Sequence, residues 1–175
     1  GSINNLHEYT DIYGFNIHEV SPFDINGCSV SSTKIRNAIN DGEVELANNY
    51  LGYNFKLFGE VIKGRGVGAS IGFPTANIKL ENKNKIIPLQ GVYAVNVYYD
   101  NNKFGGMLNI GTNPTFNGNE LSVEVHIFNF HQDIYNQRLQ IEFCKRIRNE
   151  KKFNTVDELK QQLSMDKITA LNNLD

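Results

Sequence analysis

The sequence predicts a mainly β fold with helical segments at both ends. Six extended segments rich in β-branched and aromatic residues follow one another between residues 55 and 144. No long helical pattern separates them, whereas parallel strands would need such crossovers. The turn sequence Asp100-Asn101-Asn102 joins two of the segments as in a hairpin. The pattern is therefore typical of an antiparallel barrel or sandwich.

Two short helices are expected before the strands. Ser31 or Ser32 can cap the first helix, and Gly42 would end it. The second would run from Glu43 to Leu51 and close at Gly52, because glycine readily takes the left-handed conformation of a helix end. These helices form a short appendage in front of the β region.

The strands are expected at Phe55 to Lys63, Ala76 to Leu80, Gly91 to Tyr99, Lys103 to Ile110, Leu121 to Phe130 and Gln137 to Cys144. A second hairpin turn is expected at Asn117-Gly118-Asn119. After the strands, Thr155-Val-Asp-Glu158 has the form of a capping box and opens a final helix. The apolar stripe of this helix, expected to pack on the strands, consists of Val156, Leu159, Leu163 and Leu171.

Composition narrows the class of protein. The 175 residues are 40% hydrophobic, enough for one ordinary domain with an appendage. Seventeen basic and nineteen acidic residues give a net charge of −2 without long runs of one sign, so neither nucleic acid nor an anionic membrane is an expected partner. The sequence contains no membrane-length apolar segment. Cys28 and Cys144 stand apart, as reduced thiols of a cytoplasmic protein do.

The segment from Gly59 to Leu80 is the strongest candidate for a binding site. A short strand runs into spaced glycines, and a Phe-Pro-Thr-Ala-Asn sequence follows them. Glycines allow backbone N–H groups to approach a bulky anion, and the ones proposed to do so here are Gly64, Gly66 and Gly68. Lys63, beside them, can offset phosphate charge. These features together indicate a phosphate site, although glycines alone favour a β-loop or β-bulge.

Thr75 and Asn77 extend this site. Two residues apart on an extended segment, their hydroxyl and amide oxygens lie on one face. Such neutral oxygens suit Mg²⁺ whose coordination is completed by water and phosphate. Two familiar phosphate motifs do not fit: no Lys-Ser or Lys-Thr follows the glycines, as a P-loop requires, and Pro74 prevents the helix that a dinucleotide fingerprint requires.

Several motifs recur in a fixed order along the chain. They are Gly-Phe-Pro-Thr-Ala-Asn at 72–77, Gly-Val-Tyr-Ala-Val at 91–95, Asn-Ile-Gly-Thr-Asn-Pro-Thr-Phe at 109–116, Val-Glu-Val-His-Ile-Phe at 123–128 and Arg-Ile-Arg-Asn-Glu-Lys-Lys-Phe at 146–153. In this order and spacing, over about residues 53 to 171, the chain resembles the riboflavin kinase family. The resemblance implies a six-stranded antiparallel barrel flanked by helices, ATP and riboflavin as substrates, FMN as product, and Mg²⁺.

Glu124 is the candidate general base. Alternation puts Leu121, Val123, Val125 and Ile127 on one strand face and Glu124 on the other. A solvated strand glutamate would show the same pattern, but the family resemblance implies that this glutamate takes the proton from the substrate hydroxyl. His126 shares its face and is given no catalytic role. We expect the carboxylate and the metal-bound triphosphate to meet inside the barrel.

The resemblance implies that the flavin lies near Arg148, Glu150 and Phe153. The chain departs from the family's usual pattern at three positions. Ala69 stands where a basic residue is common, Asn129 where Asp is common, and Asn136 where Gly is usual. The absence of a cation at position 69 leaves open which group screens the transferred phosphate.

Upstream, Val-Ser-Ser-Thr-Lys-Ile-Arg at 30–36 resembles the closing motif of the adenylyltransferase half of bifunctional bacterial riboflavin kinase/FAD synthetases. We therefore expect residues 1–52 to be a remnant of that domain, with Gly1-Ser2 left by protease cleavage of an expression tag, and residues 53–175 to be the kinase domain. The rest of the adenylyltransferase domain is the expected partner. Two alternatives remain: a flavin or nucleotide-binding module without turnover, and an oligonucleotide-binding barrel.

Overall fold

The computed structural model describes residues 3–18, 21, 24–25, 27–64, 66–82, 84–115 and 118–174. The chain divides into two compact units, Gly1–Ser31 and Ser32–Asp175. In the first unit, helix α1 spans Ile3–Tyr13, and strands β1 (Asp24–Ile25) and β2 (Cys28–Ser29) pair antiparallel. Within the described residues, no helix combines the length and the apolar character needed to cross a bilayer.

The second unit contains the remaining helices and strands. In chain order they are α2 (Ser32–Asn40), α3 (Val44–Leu51), β3 (Lys56–Ile62), α4 (Val67–Ser70), β4 (Ala76–Leu80), β5 (Gly91–Tyr99), β6 (Asn102–Thr115), β7 (Gly118–Ile127), β8 (Arg138–Arg148) and α5 (Val156–Leu171).

Strands β3 to β8 form a closed barrel in the order β3-β4-β7-β6-β5-β8, and every pairing is antiparallel. This confirms the predicted six-stranded antiparallel barrel. Asp100 and Asn101 form the β5–β6 turn with φ of 48° and 60°, the left-handed pair that a two-residue hairpin requires. Asn136 also takes a positive φ of 60°, as its replacement of glycine predicts. The second predicted turn includes Asn117, which lies outside the described residues.

The barrel interior is filled by alternate side chains of its strands. Each strand sends every second residue inward, so one face is apolar and the other is free for polar groups. Val95, Val125 and Ile141 have no exposed surface. Tyr93 and Phe143 pack edge to face with ring centroids 5.2 Å apart. Apolar side chains from all six strands thus form the core of the barrel.

Helix α5 covers part of the outer surface of the barrel. Its buried residues Asp166 and Ala170 lie near a second apolar cluster, which contains Phe73, Met107 and Phe128. The buried residues of α5 do not coincide with the whole apolar stripe expected from the sequence. Two of the residues predicted to pack on the strands are therefore not buried.

Those two residues are Val156 and Leu171, which are 60% and 50% exposed. Val156 is the first residue of the helix, and burial begins only at Leu159. Leu171 follows the buried Ala170 and is therefore turned about 100° away from the buried line. The capping box forms in part, because the backbone N–H of Glu158 donates to Thr155 Oγ1 at 3.2 Å.

Helices α2 and α3 pack on the outside of the same barrel unit. Ala38, Ile39, Val44 and Ala47 belong to the main apolar cluster, which also contains the barrel interior. Gly52 ends α3 with φ of 76°, as predicted. Residues 32–51 thus fold together with the barrel, and their origin in an adenylyltransferase domain stays a prediction.

Asn48 ties helix α3 to β8 and to the residue just before β3. Its Nδ2 donates to the carbonyl oxygen of Phe143 at 2.8 Å, and its Oδ1 accepts from the backbone N–H of Phe55 at 2.7 Å. A single side chain therefore satisfies two backbone groups beside the β3–β8 pairing.

We expect Asn48→Ala to lower the free energy of unfolding by about 1–3 kcal/mol, because both backbone groups lose their partner. Urea unfolding followed by circular dichroism measures the change. Asn49→Ala is the matched control, since Asn49 is the exposed neighbour on the same helix and should leave stability within about 0.5 kcal/mol of the wild type. Equal stabilities for the two variants would contradict a bridging role for Asn48.

Candidate active site

Several of the predicted site residues lie around the start of β4, beside two cavities. Thr75 lines both cavities. It follows Phe73-Pro74, the segment that leads from the glycine loop into the strand. Thr75 therefore lies between the two cavities.

The glycine loop joins β3 to β4 and contains the one-turn helix α4. Gly66 begins this turn with φ of 70°, a left-handed conformation that other residues rarely adopt. A Cβ atom on Gly68 would lie 2.3 Å from the carbonyl oxygen of Phe73, and one on Gly64 would lie 1.8 Å from Asn77 Nδ2. A larger residue at 68 would thus displace the backbone that leads to Thr75, and one at 64 would displace the amide of Asn77.

Glu124 lies at the centre of a row of polar residues across three strands. Asn77 of β4 and Asn109 of β6 are its direct partners in the ladder on either side. Thr75 Oγ1 donates a hydrogen bond to Glu124 Oε2 at 3.2 Å. Because opposite residues in an antiparallel ladder share one face, the carboxylate is surrounded by neutral oxygen and nitrogen groups.

This row lies on the outer face of the barrel. Val123 and Val125, on either side of Glu124 in the chain, point into the apolar interior with exposures of 4% and 0%. The alternation predicted for this strand is confirmed, but the expectation of a carboxylate inside the barrel is wrong, because apolar side chains of all six strands fill that space.

The first cavity, of about 240 Å³, combines inward-facing barrel residues with the loop after β7. Val61, Val125 and Ile127 contribute apolar surface from the strands. Phe130, Ile134 and Tyr135 contribute from the loop. Polar groups come from Thr75, Gln132 and Asp133. A cavity with apolar walls and such polar groups suits a ligand with a flat apolar part and a polar end.

The second cavity, of about 280 Å³, lies between the outer face of the barrel and α5. Its apolar walls are formed by Ile71, Phe73, Val92, Met107, Leu108, Phe153, Leu159 and Leu163. Its polar lining includes Thr75, Asn109 and Glu124. A hydroxyl on a ligand in this cavity can therefore approach the carboxylate of Glu124.

His126 supports the segment before Thr75. Its Nδ1 donates to the carbonyl oxygen of Pro74 at 2.7 Å, which fixes the proton of the neutral ring on Nδ1. Its ring packs edge to face against Phe73 and Phe128 at 5.4 and 5.6 Å between centroids. Burial lowers the pKa of His126, and the positive charge of Lys167 lowers it further against the opposing effect of the Pro74 hydrogen bond.

Arg148 lines the second cavity, but its guanidinium is held by α5. Its Nε lies 3.0 Å from both carboxylate oxygens of Asp166, and its Nη2 lies 2.7 Å from Oδ2. Asp166 is 1% exposed and also accepts a hydrogen bond of 2.9 Å from Gln162. The sequence singled out Arg148 as a ligand contact; the structure gives it a bidentate ion pair that fastens α5 to the barrel.

Asp166 and Gln162 were not identified from the sequence. Both are polar residues in a helix whose polar positions would ordinarily face solvent. The only signal available was an acidic residue interrupting the spacing between Leu163 and Ala170, which does not reveal its partner on β8.

The remaining predicted residues divide between the cavity and the surface. Glu150 and Phe153 line the second cavity together with Lys151. The carboxylate of Glu150 occupies the space above Gly111, where a Cβ atom would lie 2.1 Å from Oε1. Lys63 is exposed at the end of β3, and neither cavity includes it among its lining residues.

The oxygen atoms next to Glu124 are of the kind that binds a hard cation such as Mg²⁺. Thr75 contributes a hydroxyl whose proton is directed at Glu124, which leaves its lone pairs free for a metal. Asn77 contributes an amide on the adjoining ladder position. Among the described residues, no group of three or more His, Cys, Asp or Glu side chains could hold a metal. A cation here would thus depend on neutral oxygens and on a ligand's own phosphates.

Known proteins are similar to this chain in sequence and in fold. The family model described as "Flavokinase: Riboflavin kinase" matches residues 51–174. The bifunctional riboflavin kinase/FMN adenylyltransferase of Haemophilus influenzae is 43% identical over 159 residues, which are 90% of this chain and 51% of that protein. The enzyme of the same description from Bacillus subtilis is 44% identical over 145 residues, 81% of this chain and 46% of that protein.

A crystal structure described as a macrolide-efflux protein from Streptococcus pneumoniae superposes with a TM-score of 0.88 and 37% identity. It covers 98% of this chain, and the chain covers 55% of it. The chain thus spans about half the length of the curated relatives it matches. Because the family model matches residues 51–174, which are most of the chain, the chain belongs to the riboflavin kinase (flavokinase) family.

Proposed function

We propose that this chain transfers the γ-phosphate of ATP to the 5′-hydroxyl of the riboflavin ribityl chain, giving FMN and ADP. The observation that carries the proposal is the hydrogen bond between Thr75 and Glu124 at the junction of the two cavities. It puts a candidate base beside a candidate phosphate and metal ligand, which is the pairing that phosphoryl transfer to an alcohol needs. Family membership and the names of the relatives support the same reaction.

On the nucleotide side, the first cavity would receive the nucleoside of ATP, and the glycine loop would receive its phosphates. The glycine loop would leave backbone N–H groups accessible to an anion at Gly64, Gly66 and Gly68. Lys63 would add a positive charge at the start of this loop. Thr75, at the wall between the cavities, would then lie beside the γ-phosphate. This arrangement supports an in-line approach of a hydroxyl from the second cavity.

On the flavin side, the second cavity offers apolar walls for a planar ring system and polar groups at its edges. Phe153 would stack near the ring, and Glu150 would accept hydrogen bonds from its polar edge. Arg148 would act mainly by holding α5 in place, because its guanidinium is bound to Asp166.

In the reaction, Glu124 would accept the proton of the 5′-hydroxyl on the carboxylate oxygen not bound to Thr75. The hydroxyl oxygen forms a bond to the γ-phosphorus as the bond from that phosphorus to the bridging oxygen of ADP breaks. The transferred proton remains on Glu124 until it passes to water. Mg²⁺ held by Thr75 and Asn77 would supply charge neutralisation on the phosphates when bound.

The rest of the organisation is also proposed. Residues 1–52 would be the end of an adenylyltransferase domain and residues 53–175 the kinase domain, as the bifunctional names of the relatives suggest. The adenylyltransferase domain of a longer parent chain would be the natural partner. The cytoplasmic location expected from the sequence stays a prediction.

A non-catalytic flavin or nucleotide-binding module is the second candidate function. The observation behind it is Ala69, which stands in place of a basic residue.

Glu124→Gln should lower kcat by about 10²- to 10⁴-fold, because the amide cannot take the proton of the attacking hydroxyl. A coupled assay for ADP with saturating substrates measures kcat. Glu60→Gln, at an exposed position of β3, is the matched control and should retain the wild-type rate. Wild-type turnover by the Glu124 variant would remove this residue from the role of base.

Thr75→Ala and Asn77→Ala should each raise the Kd of ATP about tenfold in the presence of Mg²⁺, because each variant lacks one of the oxygen atoms that would bind the metal ion. Calorimetric titration with ATP, repeated in EDTA, measures the effect. In EDTA the variants and the wild type should bind with similar affinity. Thr112→Ala, an exposed threonine of β6, is the control. Equal affinities with Mg²⁺ for all four proteins would rule out the metal assignment.

Stability should fall as the pH drops below about 6.5, because the unfolded chain then protonates His126 while the folded chain keeps it neutral. Above the pKa of His126 in the unfolded chain, this side chain is neutral in both the folded and the unfolded protein. Its contribution to stability is then constant. The slope is at most about 1.4 kcal/mol per pH unit until the folded pKa is reached.

Urea unfolding between pH 5 and 7.5 tests this. His126→Gln should flatten the curve, and His131→Gln, at an exposed position, should leave its slope unchanged. A His126→Gln curve as steep as that of the wild type would show that another group titrates.

A further inference from the structure

One wall of the second cavity is a row of residues that lie opposite one another on neighbouring strands. Asn109 of β6 is paired with Glu124 of β7 on one side and with Val92 of β5 on the other, and all three line the cavity. Neighbouring strands lie about 4.8 Å apart, so Val92 is about 10 Å from Glu124 across this row. Asn109 therefore lies midway between the candidate base and the part of the cavity beside β5.

Asn109 is also close to Glu150, which is proposed to bind the polar edge of the flavin ring. A Cβ atom on Gly111, two residues further along β6, would lie 3.0 Å from Asn109 Nδ2 and 2.1 Å from Glu150 Oε1. The amide and the carboxylate thus lie over the same glycine, which leaves room for both. A ligand that reaches from Glu150 to Glu124 passes beside the amide of Asn109.

The side-chain amide of Asn109 is available to a ligand. It is partly buried, and it has no hydrogen-bond partner among the groups that the structure describes. The ionised carboxylates of Glu124 and Glu150 only accept hydrogen bonds. The guanidinium of Arg148 is held by Asp166. Asn109 is thus a neutral group next to Glu124 that can both donate and accept.

A hydroxyl group is the ligand group that matches such an amide, because it also donates and accepts. The ribityl chain of riboflavin carries secondary hydroxyls at C2′, C3′ and C4′, between the ring and the reacting 5′-hydroxyl. An extended chain advances about 1.2 Å per bond. The strand spacing of about 4.8 Å therefore corresponds to the distance from the 5′-oxygen to the middle of the ribityl chain.

We propose that the side-chain amide of Asn109 binds secondary hydroxyls of the ribityl chain and thereby holds the 5′-hydroxyl beside Glu124. The inference rests on the proposed function for the identity of the ligand, but the contact itself is a property of binding and needs no turnover. Asn109 thereby distinguishes a flavin with a hydroxylated chain from a flavin without one.

Comparing three flavins on each variant isolates this contact. They are riboflavin, 5′-deoxyriboflavin, which keeps the secondary hydroxyls, and lumiflavin, which has a methyl group in place of the chain. Quenching of flavin fluorescence without ATP gives each Kd for the wild type, Asn109→Leu, Asn109→Ser and Thr112→Ala. Thr112 is the matched control, because it is exposed on the same strand and does not line the cavity. Circular dichroism checks folding, and Asn109→Ala serves as a second variant without the amide.

We expect Asn109→Leu to raise the Kd of riboflavin and of 5′-deoxyriboflavin about tenfold, because leucine keeps a similar volume but cannot hydrogen-bond. The Kd of lumiflavin should change less than twofold, since this flavin has no hydroxyl. Asn109→Ser should restore part of the riboflavin affinity, because its hydroxyl also donates and accepts. Thr112→Ala should match the wild type. In turnover, kcat/KM for riboflavin should fall about tenfold in Asn109→Leu, while the Kd of ATP stays unchanged.

Four binding results would overturn the inference. An unchanged Kd of riboflavin in Asn109→Leu denies the contact, and an equal loss of lumiflavin affinity makes the residue merely structural. A loss for riboflavin but not for 5′-deoxyriboflavin assigns the amide to the reacting hydroxyl, and no flavin binding by the wild type removes the ligand.

Turnover separates this inference from the proposed function. Flavin binding that depends on Asn109, in a wild type that makes no FMN, would uphold the inference while refuting the proposed function. FMN formation with an unchanged kcat/KM in Asn109→Leu would refute the inference alone.

Discussion

The pairing of β4 with β7 is the constraint on which the candidate site depends. Only two register pairs join these strands, Ala76 with Val125 and Asn77 with Glu124. The same short pairing closes the barrel and brings the end of the glycine loop to the carboxylate. Ten register pairs with β6 fix the direction of Glu124, so a shift of β4 by one residue would turn Asn77 away from it, toward the apolar interior. Fold and site are therefore fixed by one element, and the chemistry of the site follows from the register of the sheet.

Two neighbouring supports keep that junction in place. On one side, His126 holds the carbonyl of Pro74, and the glycines leave room for the backbone and amide of the following segment. On the other, the ion pair between Arg148 and Asp166 fastens α5 so that it forms a wall of the second cavity. A buried charge left without its partner is costly, so this pair determines where the helix lies. The site is thus assembled from the barrel, the loop and the last helix.

Local patterns predicted much of this arrangement, whereas distant contacts did not follow from them. Alternation put Val125 and Glu124 on opposite faces, and the positive φ of Asn101 and Asn136 follows from the turns that their residue type favours. The partner of Arg148 lies 18 residues away on a helix, and Asn48 reaches a strand 95 residues further along the chain. No periodicity encodes such pairs. The expectation of the Glu124 carboxylate inside the barrel failed, because alternation separates two faces of a strand without telling which one faces inward.

The measurement that tests the proposed reaction most directly is a product assay. The protein is incubated with riboflavin, ATP and Mg²⁺, and the flavins are separated by chromatography. A catalytic site at the junction of the two cavities predicts FMN and ADP in equal amounts, with formation dependent on Mg²⁺. Binding of both ligands without any FMN would contradict it and would leave a non-catalytic flavin and nucleotide-binding module.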